Sequence, residues 1–444
     1  MDIGVARRTI TPQRPVFLAG YASRDHESEG VYQDLLATAM MIGDGSTRAV
    51  ILHADLLYLD ENLVEAIEAG VLKKTHLRPD QLVLTTTHTH CGPSIRERDG
   101  GLWRKIDAEY LPWLIEQLVG VIVDAVADQG PGIFRYGAGY CDINVNRRVM
   151  TDDGIAMRPN LVGAVDKRVH VIEAVDINGE TKGVLYSYTC HPTTMGGYQI
   201  GGDYPGFATR FIEDQFPGTL ALFVQGCSGN IRPNNIDEDG AFRSGPLEIV
   251  ERFGTALGHA VAGTLDGRSM REVYGNLSLA HKIIELPLAE HPTVDEVKAY
   301  LDSDNQYRRI WAEKLLALDE TGENWPTTMP FHFQQLTIGD QLTLVALSGE
   351  VCVEIAWRIE HLMMPRPTIV AGYTNASITY IPSKAIYHEG GYEVDGSYFY
   401  DILPSPYAYN IEDLIAQTAY DIIPRCKGGD RRRAGRRRPS EGTG

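Results

Sequence analysis

Two histidines that follow an apolar segment are the residues in this sequence whose types and spacing best suit metal chemistry. Residues 82–87 have the composition and length of a strand, and His88-Thr-His90 follows before Gly92-Pro93 breaks the chain. Residues i and i+2 of a strand point to the same side, so His88 and His90 are predicted to project together from its C-terminal end. Open α/β sheets bind their ligands at that end. The pair alone supports two interpretations equally, a metal site or a packed turn.

Further candidate ligands follow predicted strands in the same way. His191 ends a strand predicted over 183–189, Glu350 follows one predicted over 341–347, and Tyr380 comes shortly after a fourth. Two histidines and a carboxylate are a common catalytic zinc set, which leaves a coordination position open for water. For Glu350 alone, a carboxylate that satisfies free N–H groups at a helix N-terminus is the stronger interpretation. The repetition of the pattern favours a metal site.

Composition limits the classes of function. The chain has 444 residues, of which 43% are hydrophobic and 23% charged, as in soluble globular proteins. Its net charge of −18 argues against nucleic acid or an anionic membrane surface as the main partner. No apolar run approaches the ~18 residues of a membrane span, and the first residues lack a signal-peptide core. Six scattered cysteines indicate reduced thiols. We expect a cytoplasmic protein with a small-molecule substrate, and homo-oligomerisation is left open.

The order of predicted elements indicates an α/β fold. A strand over 49–57, a helix that Asp60 caps and that extends through Lys74, and the strand before His88 form a predicted βαβ unit. Hairpins are predicted over 169–189 and 331–347, and the polar segment 144–148 is expected to be a turn. We predict a mixed, largely parallel sheet flanked by helices, with the metal site at the C-terminal ends of strands. Residues 1–424 are expected to form one domain, and the arginine-rich 425–444 a disordered tail.

Several motifs resemble the neutral ceramidase family. Thr87-His-Thr-His-Cys-Gly-Pro93 is similar to its T-H-T-H-S-G-P motif, the most specific of the series. Asn146-Arg147, Cys190-His-Pro-Thr-Thr-Met195, Ser348-Gly-Glu350 and Ile378-Thr-Tyr380-Ile continue it in the same order. The resemblance extends from about residue 5 to the end of a tyrosine-rich loop that follows Tyr380, which is nearly all of the chain expected to be ordered.

This resemblance implies a site. Family members cleave the amide between a fatty acid and sphingosine with a zinc ion held by two histidines, a glutamate and a tyrosine. The matching ligands here are His88, His191, Glu350 and Tyr380. His90 would then lie beside the scissile bond as the proton-handling group, and Arg147 would lie close to the reacting carbonyl. Tyr380 could also donate a hydrogen bond to the intermediate.

One loop departs from the family. Its G-D-[VI]-S-P-N motif carries a serine thought to be catalytic, whereas this chain reads Gly229-Asn-Ile-Arg232-Pro-Asn234. A guanidinium is no nucleophile, but its fork can bind a carboxylate, a phosphate or an oxyanion. Cys227 and Ser228 are alternative nucleophiles, although neither occupies the family position. The residues predicted to contact substrate are Arg232, Asn234, Asp203 and Gly229.

The prediction is therefore a zinc-dependent hydrolase of an amide or ester bond, with a lactone as one option, that acts by metal-activated water. Family members are longer and carry a C-terminal β-sandwich, which we do not expect here. A substrate smaller and more polar than ceramide would suit the expected cytoplasmic, acidic protein. Two alternatives stay open. An amidohydrolase-type barrel also ends a strand in H-x-H, but normally on its first strand. A non-catalytic lipid- or carbohydrate-binding relative could have kept the fold and lost the chemistry.

Overall fold

Strands and helices alternate through the part of the chain that the computed structural model describes, residues 1–96, 106–267, 269–376 and 379–422. The predicted tail, 425–444, lies outside these residues. The strands are β1 (Asp2–Thr9), β2 (Gly30–Val31), β3 (Leu36–Gly43), β4 (Arg48–Ala54), β5 (Leu82–Thr86), β6 (Gly130–Tyr140), β7 (Asn144–Thr151), β8 (Gly154–Asn160), β9 (Arg168–Asp176), β10 (Thr181–Tyr188), β11 (Gln199–Ile200), β12 (Leu220–Gln225), β13 (Ile231–Pro233), β14 (Arg271–Val273), β15 (Leu277–Pro287), β16 (Thr328–Ile338), β17 (Leu342–Leu347), β18 (Glu350–Val351), β19 (Thr368–Ala371) and β20 (Tyr380–Ile381). The helices are α1 (Glu61–Thr75), α2 (Tyr110–Ala127), α3 (Asp203–Gln215), α4 (Leu247–Leu265), α5 (Val294–Lys298), α6 (Gln306–Thr321), α7 (Val353–Met363), α8 (Lys384–Tyr387) and α9 (Ile411–Ile422).

The largest sheet is mixed, as predicted. Its strands lie in the order β12-β10-β9-β6-β1-β3-β4-β5, with β14 beside β6. The predicted βαβ unit is confirmed, because β4 and β5 are parallel and Asp60 caps the N-terminus of α1. The expectation of a largely parallel sheet was wrong: apart from β4 with β5 and β10 with β12, the described pairs of this sheet are antiparallel. Short turns at Gly45 and Gly179, both with positive φ, join β3 to β4 and β9 to β10, and strands joined in this way pair antiparallel.

A second sheet packs against the first. Its order is β15-β16-β17-β19, and the predicted hairpin is confirmed as β16 and β17. Met40 of β3, Leu185 of β10 and Leu344 of β17 belong to one buried cluster, so the inner faces of both sheets share a core. The described strands form open sheets with many antiparallel pairs, and a parallel (β/α)₈ barrel is therefore excluded for them.

Helices cover the outer faces of the sheets. Helix α2 packs on β1 and β3, and α1 packs on α2. Helix α3 packs on β12, α4 on β9, and α7 on α9 and β19. Among the described residues, α2 is long and apolar enough to cross a membrane by length and composition alone, contrary to expectation. Leu114, Leu118 and Val121 of α2 are buried in a core cluster with α1 and the large sheet. That packing accounts for its apolar composition.

A small sheet of β8, β7 and β13 carries the segment that was expected to be a turn. Its polar residues are buried because each finds a partner: Asn144 donates to the carbonyls of Asp166 and Thr189. Strand β13 pairs antiparallel with β7 and places Arg232 opposite Val145. The expected turn is therefore a strand, and it brings Arg147 and Arg232 onto neighbouring strands.

Candidate metal centre

His88 and His90 meet, but not by strand alternation. Strand β5 ends at Thr86, and His88 has a φ of 61°, in the left-handed region. This conformation is costly for a residue with a side chain and is found most often at functional sites. The Nε2 atoms of His88 and His90 lie 3.3 Å apart. The predicted convergence is present, but a strained turn produces it.

Backbone carbonyls determine which nitrogen of each ring faces the centre. Nδ1 of His88 lies 2.7 Å from the carbonyl oxygen of Leu57, and Nδ1 of His191 lies 2.9 Å from that of Ser228. A carbonyl oxygen only accepts, so both Nδ1 atoms must carry the proton. The two Nε2 atoms, which lie 3.2 Å apart, therefore present lone pairs to each other.

Glu350 and Tyr380 reach the same point from a pair of two-residue strands. Strands β18 and β20 are parallel and place the two residues side by side. Glu350 Oε2 lies 3.1 Å from His191 Nε2 and 3.5 Å from His88 Nε2, yet it accepts no hydrogen bond. The Tyr380 hydroxyl lies 3.4 Å from His191 Nε2, and burial raises the pKa of this phenol well above its usual value.

This donor set fits a divalent cation. Imidazole lone pairs and a carboxylate oxygen converge without a hydrogen atom between them, and that arrangement is repulsive unless a cation is present. One nitrogen from each of His88, His90 and His191 lies within 4.8 Å of the others. Burial lowers the pKa of His191 to about 4, so its lone pair is available at neutral pH.

His90 differs from the other two histidines. Its Nδ1 is shielded from solvent and has no hydrogen-bond partner, so no neighbour fixes its tautomer. The Tyr21 ring lies 5.0 Å from the imidazole, and Gly20, with φ of 93°, packs against it. A Cβ atom on Gly20 would come within 2.5 Å of His90 Nδ1. His90 is thus held by packing rather than by a hydrogen bond at Nδ1.

Arg147 lies beside the centre in a buried ion-pair network. Its Nε donates to Glu393 Oε1 at 2.7 Å, and Arg148 donates to the other oxygen of this carboxylate. Its guanidinium carbon lies 5.2 Å and 5.6 Å from the ring centroids of Tyr380 and Tyr392. Nη2 of Arg147 is buried without a hydrogen-bond acceptor. The arrangement leaves one oriented N–H group for a ligand.

A cavity of about 410 Å³ opens onto this centre. His88, His90, Glu350 and Tyr380 are part of its lining. The rest of the lining is rich in tyrosine and small polar residues, including Tyr21, Tyr58, Tyr392, Tyr400, Ser94 and Ser397. A metal-ligand cluster at the bottom of such a cavity is a site where a small polar molecule could meet a bound cation.

Residues 1–243 match the family described as neutral/alkaline non-lysosomal ceramidase, N-terminal, and this is more than half of the 444 residues. The chain belongs to the neutral ceramidase family. The neutral ceramidase of Pseudomonas aeruginosa is 25% identical over 312 residues, which are 64% of this chain and 44% of that protein. The neutral ceramidase of Mycobacterium tuberculosis is 26% identical over 247 residues, 49% of this chain and 38% of that protein. The chain thus spans less than half the length of these relatives.

Solved ceramidase structures share the fold. The crystal structure of neutral ceramidase from Pseudomonas aeruginosa superimposes with a TM-score of 0.72 and 21% identity, over 95% of this chain and 73% of that one. A ceramidase complexed with C2 gives 0.73 and 18%, over 95% and 74%. The predicted α/β fold with a mixed sheet flanked by helices is confirmed.

The four residues predicted to contact substrate lie around the centre but outside the lining of its cavity. Gly229 donates its N–H to Val351, and a Cβ there would come within 2.5 Å of the Glu350 carbonyl oxygen, so it allows close packing behind a ligand. The Asp203 carboxylate accepts backbone N–H groups of Met195 and Tyr204 and ties a loop to α3. Asn234 is exposed. Arg232 is partly buried beside the loop that follows His191.

Ser228 and Cys227, the alternative nucleophiles of this ceramidase-family chain, have structural roles. The Ser228 hydroxyl lies 3.0 Å from the Tyr373 hydroxyl and accepts from Gln225 at 2.6 Å, and the Ser228 carbonyl is what orients His191. Burial raises the pKa of the Cys227 thiol well above its usual value, which disfavours the reactive thiolate. Neither geometry supports covalent catalysis.

Several residues of the site were missed at the sequence level. Nothing in the sequence indicated that Glu393 is buried, since an acidic residue in a tyrosine-rich loop is normally expected to be exposed. Leu57 and Ser228 act through their carbonyls, which residue type does not report. Gly20 could have been found, because a glycine between Ala19 and Tyr21 can indicate a close approach of backbone to another group.

A second histidine cluster, of which only His332 is fully buried, lies elsewhere in the protein. His281 Nε2 of β15 is 3.1 Å from His332 Nδ1 of β16. His332 Nε2 lies 3.4 Å from a carboxylate oxygen of Glu61, the first residue of α1. His332 faces His281 with Nδ1 and Glu61 with Nε2, which forms no hydrogen bond, so the three side chains do not converge on a common point.

Proposed function

We propose that this protein is a metal-dependent hydrolase that cleaves the amide bond of an N-acylated small molecule, with zinc as its metal. The observation that carries the proposal is the convergence of the His88 and His191 lone pairs on Glu350 Oε2, at the bottom of a cavity. Membership of the neutral ceramidase family supports amide-bond hydrolysis. An ester or a lactone is a weaker substrate class for the same arrangement.

The residues of the site divide the chemistry among them. A bound zinc ion would polarise the substrate carbonyl and lower the pKa of water. His88, His191, Glu350 and Tyr380 would hold it. The unpartnered Nη2 of Arg147 is placed to donate to a developing oxyanion.

His90 is proposed to move the proton. Burial, together with the neighbouring His88 and His191, lowers its pKa well below its usual value, so the ring is neutral near pH 7 and has a free lone pair. Its unpartnered Nδ1 leaves the proton free to occupy either nitrogen. Transfer of that proton to the leaving amine would complete the cleavage of the amide.

The cavity favours a substrate smaller and more polar than ceramide. Its volume of about 410 Å³ is near the lower end of the range for small-molecule sites. Tyrosine hydroxyls and serines line it, whereas the only larger aliphatic side chains among the lining residues of the described chain are Leu18 and Leu57. A lining of this kind suits polar groups better than two long alkyl chains.

Turnover by the purified protein tests this function. The substrates would be a short-chain N-acyl sphingosine, small N-acyl amines and a carboxylic ester, each with protein loaded with zinc. We expect amide hydrolysis that a chelator removes and added zinc restores. Absence of turnover across the panel by metal-loaded protein would instead favour a non-catalytic, ligand-binding relative.

A further inference from the structure

The guanidinium of Arg232 is partly buried and has only weak partners. Its Nε lies 3.3 Å from the Thr193 hydroxyl and its Nη1 lies 3.7 Å from the Met157 sulfur. Its central carbon lies 4.8 Å from the centroid of the Phe242 ring. None of the carboxylates in the described residues forms an ion pair with it. The strongest acceptors around this cation are thus a hydroxyl and a thioether, and both leave most of its N–H capacity unused.

Several other buried or partly buried arginines of this acidic protein have carboxylate partners, whereas Arg24 donates to the carbonyls of Ala19 and Gly197. Arg7 pairs with Glu213, Arg168 with Glu360, and Arg147 with Glu393. A cation withdrawn from water without a counter-charge is costly. Burial accordingly lowers the pKa of Arg232, although an arginine stays charged at any physiological pH. Binding of an anion would offset that cost.

Arg232 lies beside the metal centre rather than on a remote surface. Thr193, its hydroxyl partner, is two residues beyond His191, and Tyr21 donates to the Met195 carbonyl in the same loop at 2.9 Å. Tyr21 also lines the cavity next to His90. Arg147, on the neighbouring strand, is close enough for its charge to disfavour that of Arg232. An anion near both guanidiniums would relieve this repulsion.

We propose that Arg232 binds a carboxylate of the substrate, so that the preferred substrates are N-acylated compounds with a free carboxyl group, such as N-acyl amino acids. The planar fork of a guanidinium matches a carboxylate with two parallel hydrogen bonds. This assignment rests on the proposed amide hydrolysis, because it specifies the group that flanks the cleaved bond. It gives the protein a substrate class that a neutral ceramide does not belong to.

Binding of two matched probes to zinc-loaded protein tests the assignment. N-hexanoylglycine and N-hexanoylethanolamine have the same acyl chain and differ by a carboxylate in place of a hydroxymethyl group. We expect the acid to bind roughly 10- to 100-fold more tightly at low salt, as a charge-assisted pair predicts. Arg232→Gln should remove this preference and leave the affinity for the alcohol unchanged. Arg243→Gln, which removes the same charge from an exposed position in the segment that follows β13, should keep the preference.

The outcomes separate this assignment from the proposed function. Equal binding of both probes to the wild type, or a preference that survives in Arg232→Gln, would overturn it, whether or not either probe is hydrolysed. An Arg232-dependent preference without hydrolysis of either probe would overturn only the proposed function. If inorganic phosphate competes with the acid probe more strongly than acetate does, the group that Arg232 prefers is a phosphate, and the carboxylate assignment is overturned. If Arg232→Gln fails to fold, Arg232→Lys keeps the charge without the fork and should lower the preference.

Discussion

Two histidine clusters of this protein have similar residues but different arrangements of their nitrogen atoms. In the first, backbone carbonyls occupy Nδ1 of His88 and His191, so both Nε2 lone pairs point to one place. In the second, His332 uses one nitrogen towards His281 and the other towards Glu61. In this line of groups no lone pairs converge, whereas in the first cluster two Nε2 lone pairs and a carboxylate oxygen do, and that arrangement fits a cation.

The difference shows that backbone acceptors, more than residue types, separate a metal site from a polar core. Both clusters contain histidines and a glutamate, and a search by residue type would select either. The carbonyl oxygens of Leu57 and Ser228 fix the ring orientation in the first cluster. No such carbonyl constrains His332, whose two ring nitrogens both face side chains.

Removal of one histidine from each cluster should give the largest effect and tests whether only the first cluster binds metal. His191→Ala is expected to lose bound zinc and to lower amide hydrolysis by about 10³-fold, because a ligand and the Lewis acid go together. His332→Ala removes an equally buried imidazole and should keep stoichiometric zinc and near wild-type turnover. Metal analysis of the purified variants and their turnover rates are the measurements.

The reverse result would contradict the assignment of the centre. If His191→Ala retained full zinc while His332→Ala lost it, the metal would bind at the second cluster. A thermal melt of both variants controls for unfolding, since either substitution leaves a cavity in the interior.

Displacement of His90 should have a smaller effect that separates proton transfer from metal binding. Gly20→Ala places a Cβ atom within 2.5 Å of His90 Nδ1 and should push the ring aside. We expect turnover to fall roughly 10- to 100-fold, part of the usual contribution of a general acid–base group, while zinc content stays unchanged. Zinc stoichiometry and turnover measured on the same preparation give both readouts.

Gly45→Ala is the matched control for that substitution. Gly45 also has a positive φ, of 86°, but a Cβ there meets nothing within 4 Å. Both variants should lose about 1 kcal/mol of unfolding free energy from backbone strain, and only Gly20→Ala should lose turnover. Loss of zinc in Gly20→Ala would mean that His90 is itself a ligand.

The smallest expected effect is a pH dependence that belongs to the second cluster. Burial and then His332 lower the pKa of His281 from 6.5 to about 4. Between these values the unfolded chain binds a proton that the folded chain does not, so stability falls as the pH drops from 6.5 to 4. His281→Gln should flatten this part of the unfolding curve by on the order of 1 kcal/mol, discounted for partial exposure. An identical slope in the variant would assign the titration to other groups.

Local patterns predicted those parts of the fold that local chemistry determines. Asp60 and the apolar spacing after it were enough to place α1, and the Asn178-Gly179 turn was enough to join β9 to β10. The direction of most strand pairs was not predictable in this way. It depends on β6 and β1 pairing across more than a hundred residues, which no window of sequence contains.

The candidate site was predicted as a set of residues but not as a geometry. Family-like motifs selected His88, His191, Glu350 and Tyr380, and the structure brings these four together. The left-handed turn at His88 could not be foreseen, because residue type argues against it. Arg147 and Arg148 were expected in a polar turn, since only their tertiary partner Glu393 makes their burial possible.

The Glu393 ion pair links two parts of the site, the cavity wall formed by residues 392–401 and strand β7, so neither can be redesigned without the other. Residues 392–401 form part of the cavity wall, and Glu393 joins this wall to Arg147, 246 positions earlier in the chain. A loop exchanged to admit a larger substrate without Glu393 would leave two buried guanidiniums without their shared carboxylate. An exchange that aims to transfer substrate range from one relative to another should therefore include both this loop and β7. We also expect the sequences of the two segments to vary together among relatives.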